Sequence, residues 1–154
     1  MKTVMNLGLI EEDGKLLLGM KKRRFGAGLW NGFGGKVHPG ENIEEALKRE
    51  FEEECGVYIL KMEKRGVIEF EETSKPNTME VHFYKITQYL GQPKESEEMS
   101  PKWFSINELP YENMHPDDRI WMPMFLKGVK FRGKITSNAE KKIEKSDVTE
   151  VETL

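Results

Sequence analysis

Three glutamates, Glu50, Glu53 and Glu54, stand near the end of a segment that otherwise reads as an amphipathic helix. With Asn42 to Val57 placed at about 100° per residue, Ile43, Ala46 and Leu47 mark the buried stripe. Glu44, Glu45, Lys48 and Glu52 point away from it. Glu50 and Glu54 continue the Ile43–Leu47 stripe, and Glu53 borders it. Carboxylates on a side that should be apolar are costly unless paired. They raise one another's pKa, and the helix dipole disfavours them at this end. Something cationic must offset this. An all-oxygen cluster suits Mg2+ or Mn2+, hard cations that retain waters and share substrate phosphates. On this helix alone, a solvated acidic end is an equally good reading.

The elements that must position these groups follow from local signals. Asn42 is a good N-cap, Glu45 three residues on completes a capping-box pattern, and Gly56 supplies the stop. Upstream, residues 3–10 read as a strand, Glu12 to Lys15 as a turn, and 16–20 as its hairpin partner. A basic run, Lys21 to Arg24, leads into a shaped loop rich in glycine: Gly26, Gly28, Gly32, Gly34, Gly35, then Gly40. Downstream, strands are predicted at 57–61, 65–72 and 79–89. An acidic loop follows at 91–101, then a short strand at Trp103-Phe104 and a helical turn at 106–110. A second helix is predicted from Asp117 to Lys127, with Pro123 in its first turn or kinking it. A strand over 129–136 precedes a polar tail, 137–154, that ends in a weak strand at 148–151. Mostly antiparallel strands with two helices packed on them make an α/β (α+β) class.

Composition narrows the function. The 154 residues fit one domain, 1–154, large enough to bury a core without staples. The single cysteine, Cys55, excludes an internal disulfide framework and a four-cysteine zinc site, and points to a reducing, cytoplasmic compartment. Twenty-four basic against 27 acidic residues give a net charge of −3, which argues against a stable nucleic-acid partner. No apolar run has the length of a membrane span. The run Val4 to Ile10 is interrupted by Asn6 and followed by Glu11-Glu12-Asp13, and so reads as a strand and not a leader. The expected partner is a small molecule, and the expected state a monomer.

Residues 35–57 read Gly35, five residues, Glu41, seven residues, then Arg49-Glu50-Phe51-Glu52-Glu53-Glu54-Cys55-Gly56-Val57. This frame resembles the Nudix box in full, with Phe51 the one loose fit at an aliphatic position. The similarity extends to Leu17–Arg23, Phe25–Gly28, Trp30–Val37, Met79–His82, Glu97–Met99, Trp103-Phe104, and Pro116–Asp118 with Trp121, Pro123 and Phe131. There the chain resembles the MutT-type oxidised-purine triphosphatases. The resemblance spans residues 3 to about 133. It implies a Nudix fold: an α/β/α sandwich, a mixed sheet between helices, with a purine pocket at one side. It also implies Mg2+-dependent hydrolysis of oxidised purine nucleoside triphosphates, such as 8-oxo-dGTP and 2-hydroxy-dATP, to the monophosphate and pyrophosphate. The result would be sanitation of the nucleotide pool.

By the same resemblance Glu50, Glu53 and Glu54 are metal ligands, joined by the Gly34 carbonyl and Glu98. Metals there would screen phosphate oxygens and acidify a bound water for in-line attack on an internal phosphorus. Glu53 or Glu54 takes the proton, and the sequence does not choose between them. Arg49 is expected to orient a glutamate through a bidentate pair, with Glu41 behind it and Gly35 shaping the backbone. Lys21 and Lys36, with Arg23, are candidates to meet phosphates. Base recognition is assigned to Asn31, Asp117 and Asp118. Adjacent acids at an apolar pocket separate in pKa, so that one stays protonated and donates. A helix cap is the other use of such aspartates. Phe25, Phe33, Phe70, Met79 and Trp121 are expected at the pocket. Three positions depart from the family: His115 stands where the mammalian enzymes have a stacking tryptophan, Asn6 replaces a small hydroxyl residue in the pocket floor, and Glu72 replaces an aromatic.

Two alternatives stay open. One is hydrolysis of another nucleoside diphosphate derivative, such as ADP-ribose, a dinucleoside polyphosphate or capped RNA. The other is a nucleotide-binding regulator without turnover. Complete retention of the box glutamates weighs against the regulator.

Overall fold

The structure, a computed structural model, describes residues 2–154. Strand β1 (Lys2–Leu9) turns at Asp13-Gly14 through the two-residue strand β2 (Glu11–Glu12) into β3 (Lys15–Lys21). Both turn residues have positive φ, 51° and 74°, as a tight hairpin requires. The glycine loop contributes only β4 (Trp30–Asn31) before helix α1 (Ile43–Cys55). Strands β5 (Tyr58–Glu72) and β6 (Thr78–Leu90) form a long hairpin, followed by β7 (Met99–Ser105). A 3-10 turn at Tyr111–Asn113 leads to α2 (Asp118–Lys127), then β8 (Lys130–Ser137) and β9 (Ile143–Val151). The main sheet runs β1-β6-β5-β8-β9 and is mixed, with β1 parallel to β6 and β5 parallel to β8. A smaller antiparallel sheet joins β2, β4 and β7 to β3.

Side-chain alternation explains the layering. Leu16 and Leu18 enter one core with Val81, Phe83, Trp121, Phe125 and Phe131 under α2. Leu17 points the other way and joins Phe33, Leu47, Phe51, Tyr84 and Ile86 under α1. Strands buried on both faces with a helix on each side form the sandwich expected. Cys55 lies in the α1 core, where burial pushes its thiol up to about 12 and leaves it inert.

Several boundaries differ from expectation. The two strands predicted at 57–61 and 65–72 are one, β5. Register shifts between Ile59 and Lys61 and between Lys64 and Gly66 absorb extra residues, so the strand continues where period-two alternation lapses. Residues 99–101, predicted as loop, pair with β3. The tail is more ordered than its composition suggested: β9 pairs along the whole of β8. Pro123 lies inside α2 beyond its first turn, so the Arg119 carbonyl lacks the usual donor four residues on.

Trp121 is buried, with its ring centroid 4.5 Å from Phe83, 6.2 Å from Phe125 and 6.4 Å from Phe131. Trp121→Ala is expected to lower unfolding free energy by about 3–5 kcal/mol. Urea denaturation checks this, and a loss below about 1 kcal/mol would show that the α2 core does not rest on this ring.

Candidate active site

Helix α1 is held at both ends. The Asn42 side chain accepts from Glu45 N at 2.7 Å, and Gly56, at φ 71°, closes the helix with its N–H on Glu52 O. Apolar Ala46, Leu47 and Phe51 then fix the rotation of the helix, and this draws Glu54 inside. Its carboxyl is buried, with Oε1 accepting from Gly34 N at 2.9 Å. Burial first, then the charge of Glu50, pushes its pKa up to about 8. Glu50 is raised as well, by burial, and Arg49 opposes this. Glu53, four residues from Arg49 along the helix, has a side chain that is half exposed.

Arg49 ties this face together. Nε and Nη2 meet Glu41 Oε2 and Oε1 at 2.8 and 3.0 Å, a bidentate pair. Nη1 bonds Glu50 Oε1 at 3.1 Å and stands 3.6 Å from Glu53 Oε2, and Nη2 also reaches the Lys36 carbonyl at 3.2 Å. The Arg49 bond and the His38 N–H hold the Glu41 pKa down at about 2.

The glycine loop is moulded to these acids. A Cβ at Gly35 would stand 2.6 Å from Glu50 Oε1, and one at Gly34, where φ is 152°, would stand 2.2 Å from Asn6 O. Asn6 was expected in the pocket floor. It is buried instead between the loop and α1, accepting from Gly35 N at 3.0 Å and donating to Ile43 O at 3.2 Å. An amide serves there because both a donor and an acceptor are needed between two backbones.

Glu98 arrives on the loop before β7. Ser96, unremarked in the sequence, positions it. Its hydroxyl donates to Glu54 O at 2.7 Å and accepts from Glu98 N at 3.2 Å and Met99 N at 3.1 Å. The only sequence signal was a serine two residues before an acid, as in a side-chain turn. Glu98 Oε1 lies 3.7 Å from Arg23, and its charge adds to the upward push on Glu50 and Glu54.

These carboxylates share one face but do not close into a cage. Among the described residues no three acidic, histidine or cysteine side chains stand close enough to enclose an ion. The sequence suggested tighter convergence. Like charges relax apart, and here Glu50 turns to Arg49 and Glu54 to Gly34 N. The donor set still fits a hard divalent cation. It is all oxygen, the glycine backbone approaches it closely, and among the described residues only the more distant charge of Lys21 offsets the buried Glu54.

The second set of residues lies at the N-terminal end of α2. Asp118 is buried, and burial, then the charge of Asp117, raises its pKa well above the usual aspartate range. Asp117 occupies the N-cap position of α2 but makes no cap bond. Its Oδ2 accepts from Trp121 Nε1 at 3.0 Å. The pair therefore does not serve as a helix cap.

His115 Nε2 stands 2.7 Å from Asn31 Oδ1, and its ring stacks on Phe25 with centroids 5.2 Å apart and 8° between planes. Burial lowers the His115 pKa, opposed by Asp117 and aided by Lys21 and Lys141. The Asn31 amide also donates to Leu29 O at 2.7 Å and Gly26 O at 3.4 Å. Its groups are therefore engaged within the protein, and a base contact at Asn31 replaces one of these bonds. Phe70 pairs in register with Met79, partly buried beside the α2 core, while Met79 is open to solvent.

Two aromatic expectations are corrected. Phe33 is fully buried, 5.2 Å from Phe51, and Trp121 is a core residue whose indole holds Asp117. Both rings lie in the two apolar cores, between a sheet and a helix. Lys21 is half-buried, and its charge reaches both Glu54 and His115. Lys36 is exposed at the outer side of the loop.

A family profile described as the NUDIX domain matches residues 1–125. The chain belongs to the NUDIX family. Over 151 residues, 98% of this chain and 97% of the relative, this NUDIX protein is 43% identical to a zebrafish (Danio rerio) protein named oxidized purine nucleoside triphosphate hydrolase. A mouse (Mus musculus) protein of the same name is 47% identical over 127 residues, 82% of this chain and 81% of that one. Among solved structures, the MutT NUDIX hydrolase from Burkholderia pseudomallei superposes with a TM-score of 0.72 at 28% identity, covering 80% of this chain and 98% of that one. A MutT protein from Bacillus halodurans reaches a TM-score of 0.81 at 23% identity, over 95% and 97% of the two chains, and supports the fold. NUDIX hydrolases are generally dependent on a divalent metal. Among the described residues no helix is long and apolar enough to cross a membrane.

Proposed function

We propose that this NUDIX hydrolase converts oxidised purine nucleoside triphosphates, such as 8-oxo-dGTP and 2-hydroxy-dATP, to the monophosphate and pyrophosphate with Mg2+, and so cleans the nucleotide pool. The observation that carries the reading is the buried Asp118 carboxyl beside Asp117, at the start of α2 against its apolar core. A carboxyl that keeps its proton offers a donor, and the oxygens of its neighbour offer acceptors, which a purine edge carrying a new oxo or hydroxy group can use. The names of the zebrafish and mouse relatives support the same substrate class.

Glu50, Glu53, Glu54, Glu98 and the Gly34 carbonyl are the groups that would hold the ion. Bound there, Mg2+ supplies charge screening for the phosphate oxygens and acidifies water. The rest falls to the chain. Arg49 fixes the Glu50 carboxylate against Glu41 and keeps it from rotating into solvent. Glu53, half exposed, reaches water and takes the proton of the attacking molecule. Glu54, buried on Gly34 N, does not reach it. Lys21, between the glutamates and the base pocket, meets the phosphates. Phe25, Phe70, Met79 and His115 line the base. The pairing of β9 along β8 supports the chain acting as one unit, and the single cysteine and slightly acidic charge support a cytoplasmic protein with a small-molecule partner and no stable nucleic-acid partner.

A phosphate-release assay coupled to pyrophosphatase, run over normal and oxidised dNTPs, tests this. The expected result is preference for 8-oxo-dGTP, with KM above that of enzymes bearing tryptophan at the His115 position, because an imidazole stacks less. Equal rates on all four normal dNTPs would end the specificity claim.

A further inference from the structure

The tail turn between β8 and β9 reaches Phe25 on the glycine loop. Asn138 builds that turn, its side chain accepting from Glu140 N and Lys142 N at 3.0 Å each. Lys141 sits within it at φ 65°, a backbone conformation that favours glycine or asparagine. Its ammonium is directed to two groups. One is Glu72 Oε1 at 2.9 Å, and the other is the Phe25 ring, 5.1 Å to the centroid. Glu72 ends β5 on the same face as Phe70 and is held from its other oxygen by Ser74 Oγ at 2.6 Å. Phe25 stacks in turn on His115, which is bonded to Asn31. A continuous line of contacts therefore runs from β5, through the tail turn, to the glycine loop and the approach to α2. Phe25 is otherwise an exposed aromatic with little to hold it.

We propose that Lys141 and Glu72 are specificity-determining residues of the base pocket: their ion pair holds Phe25 flat against His115 and so presents a prearranged wall for stacking on a purine. The inference rests on the base-pocket reading above. The pair acts through Phe25, and a charged clamp takes over the work that an aromatic at position 72 would do by packing. The pair bears on Phe25 and not on the glutamate face of α1, so the effect belongs to base binding and not to turnover.

The test is steady-state kinetics of Lys141→Ala and Glu72→Gln on a purine and a pyrimidine nucleoside triphosphate, with the full chain. Both variants are expected to raise KM for the purine by about fivefold, with kcat within about twofold and pyrimidine KM unmoved. Lys141→Arg, which keeps the cation and the pair, is expected to restore the purine KM. Purine KM unchanged in both variants overturns the proposal, as does an equal rise for the pyrimidine. If the wild-type chain hydrolyses no nucleoside triphosphate, the proposed function has failed, and the clamp is judged by NMR. Lys141→Ala is then expected to shift the His115 ring protons as Phe25 leaves the stack. Unshifted signals overturn it.

Discussion

Glu53→Gln is expected to lower kcat by about a thousandfold while nucleotide binding stays within a few-fold of wild type. The substitution removes a proton acceptor and one negative charge with almost no change of shape. The fold has little stake in Glu53. The side chain is half exposed, and its contact with Arg49 is a long one at 3.6 Å. Arg49 keeps its bidentate pair with Glu41 and its bond to Glu50, so the helix face is preserved. Single-turnover kinetics with a parallel calorimetric titration of nucleotide would show the split. Activity within tenfold of wild type would remove Glu53 from the proton-accepting role. Lost binding together with lost activity would point instead to a nucleotide site that Glu53 helps to build. The same variant separates a hydrolase from a binding protein without turnover, since only the hydrolase has a rate to lose.

Asp118→Ala is expected to raise KM for an oxidised purine nucleoside triphosphate by about ten- to a hundredfold, while Asp118→Asn stays within about threefold. The contrast follows from protonation. Buried beside Asp117, with the His115 N–H and Trp121 indole as the donors near the pair, Asp118 holds its proton above the usual aspartate range. An amide keeps both the neutrality and a donor, whereas a methyl group leaves neighbouring polar atoms unsatisfied. The pH dependence has a definite sign. The native carboxyl binds its proton more tightly than the unfolded one does. Its favourable contribution is therefore complete below the ordinary aspartate pKa and is lost as pH rises toward the native one. Asp118→Asn abolishes that decline, so the variant is expected to gain stability relative to wild type as pH increases. Thermal melts across pH 4 to 9 would reveal it. Equal KM defects in the two variants would refute a neutral donor at position 118, and parallel melting curves would refute the raised pKa.

Local sequence already determined the parts that depend on neighbours along the chain. Asn42 and Gly56 bound helix α1 at the positions their types dictate, because capping and left-handed closure are satisfied within a single turn. The misplaced glutamates could be recognised from helical period alone, since 100° per residue sets which side chains share a face. The family resemblance also tied Arg49 to an acid, though not to which one. The bidentate partner is Glu41, ahead of the helix, and only the path of the loop brings it back.

Tertiary structure decided whatever depends on residues distant in sequence. Phe33 and Trp121 are aromatic like Phe25, and nothing in their type separates a pocket wall from a core. Burial between sheet and helix makes the difference. Asn6 became a brace because a strand and a loop cross there, 29 residues apart. The tail, polar and without a motif, gained its place only when β9 paired with β8 and swung Lys141 onto Glu72, 69 residues away. Pairing across a sheet depends on register and twist, which composition does not encode, whereas a helix face is set by the residues within it.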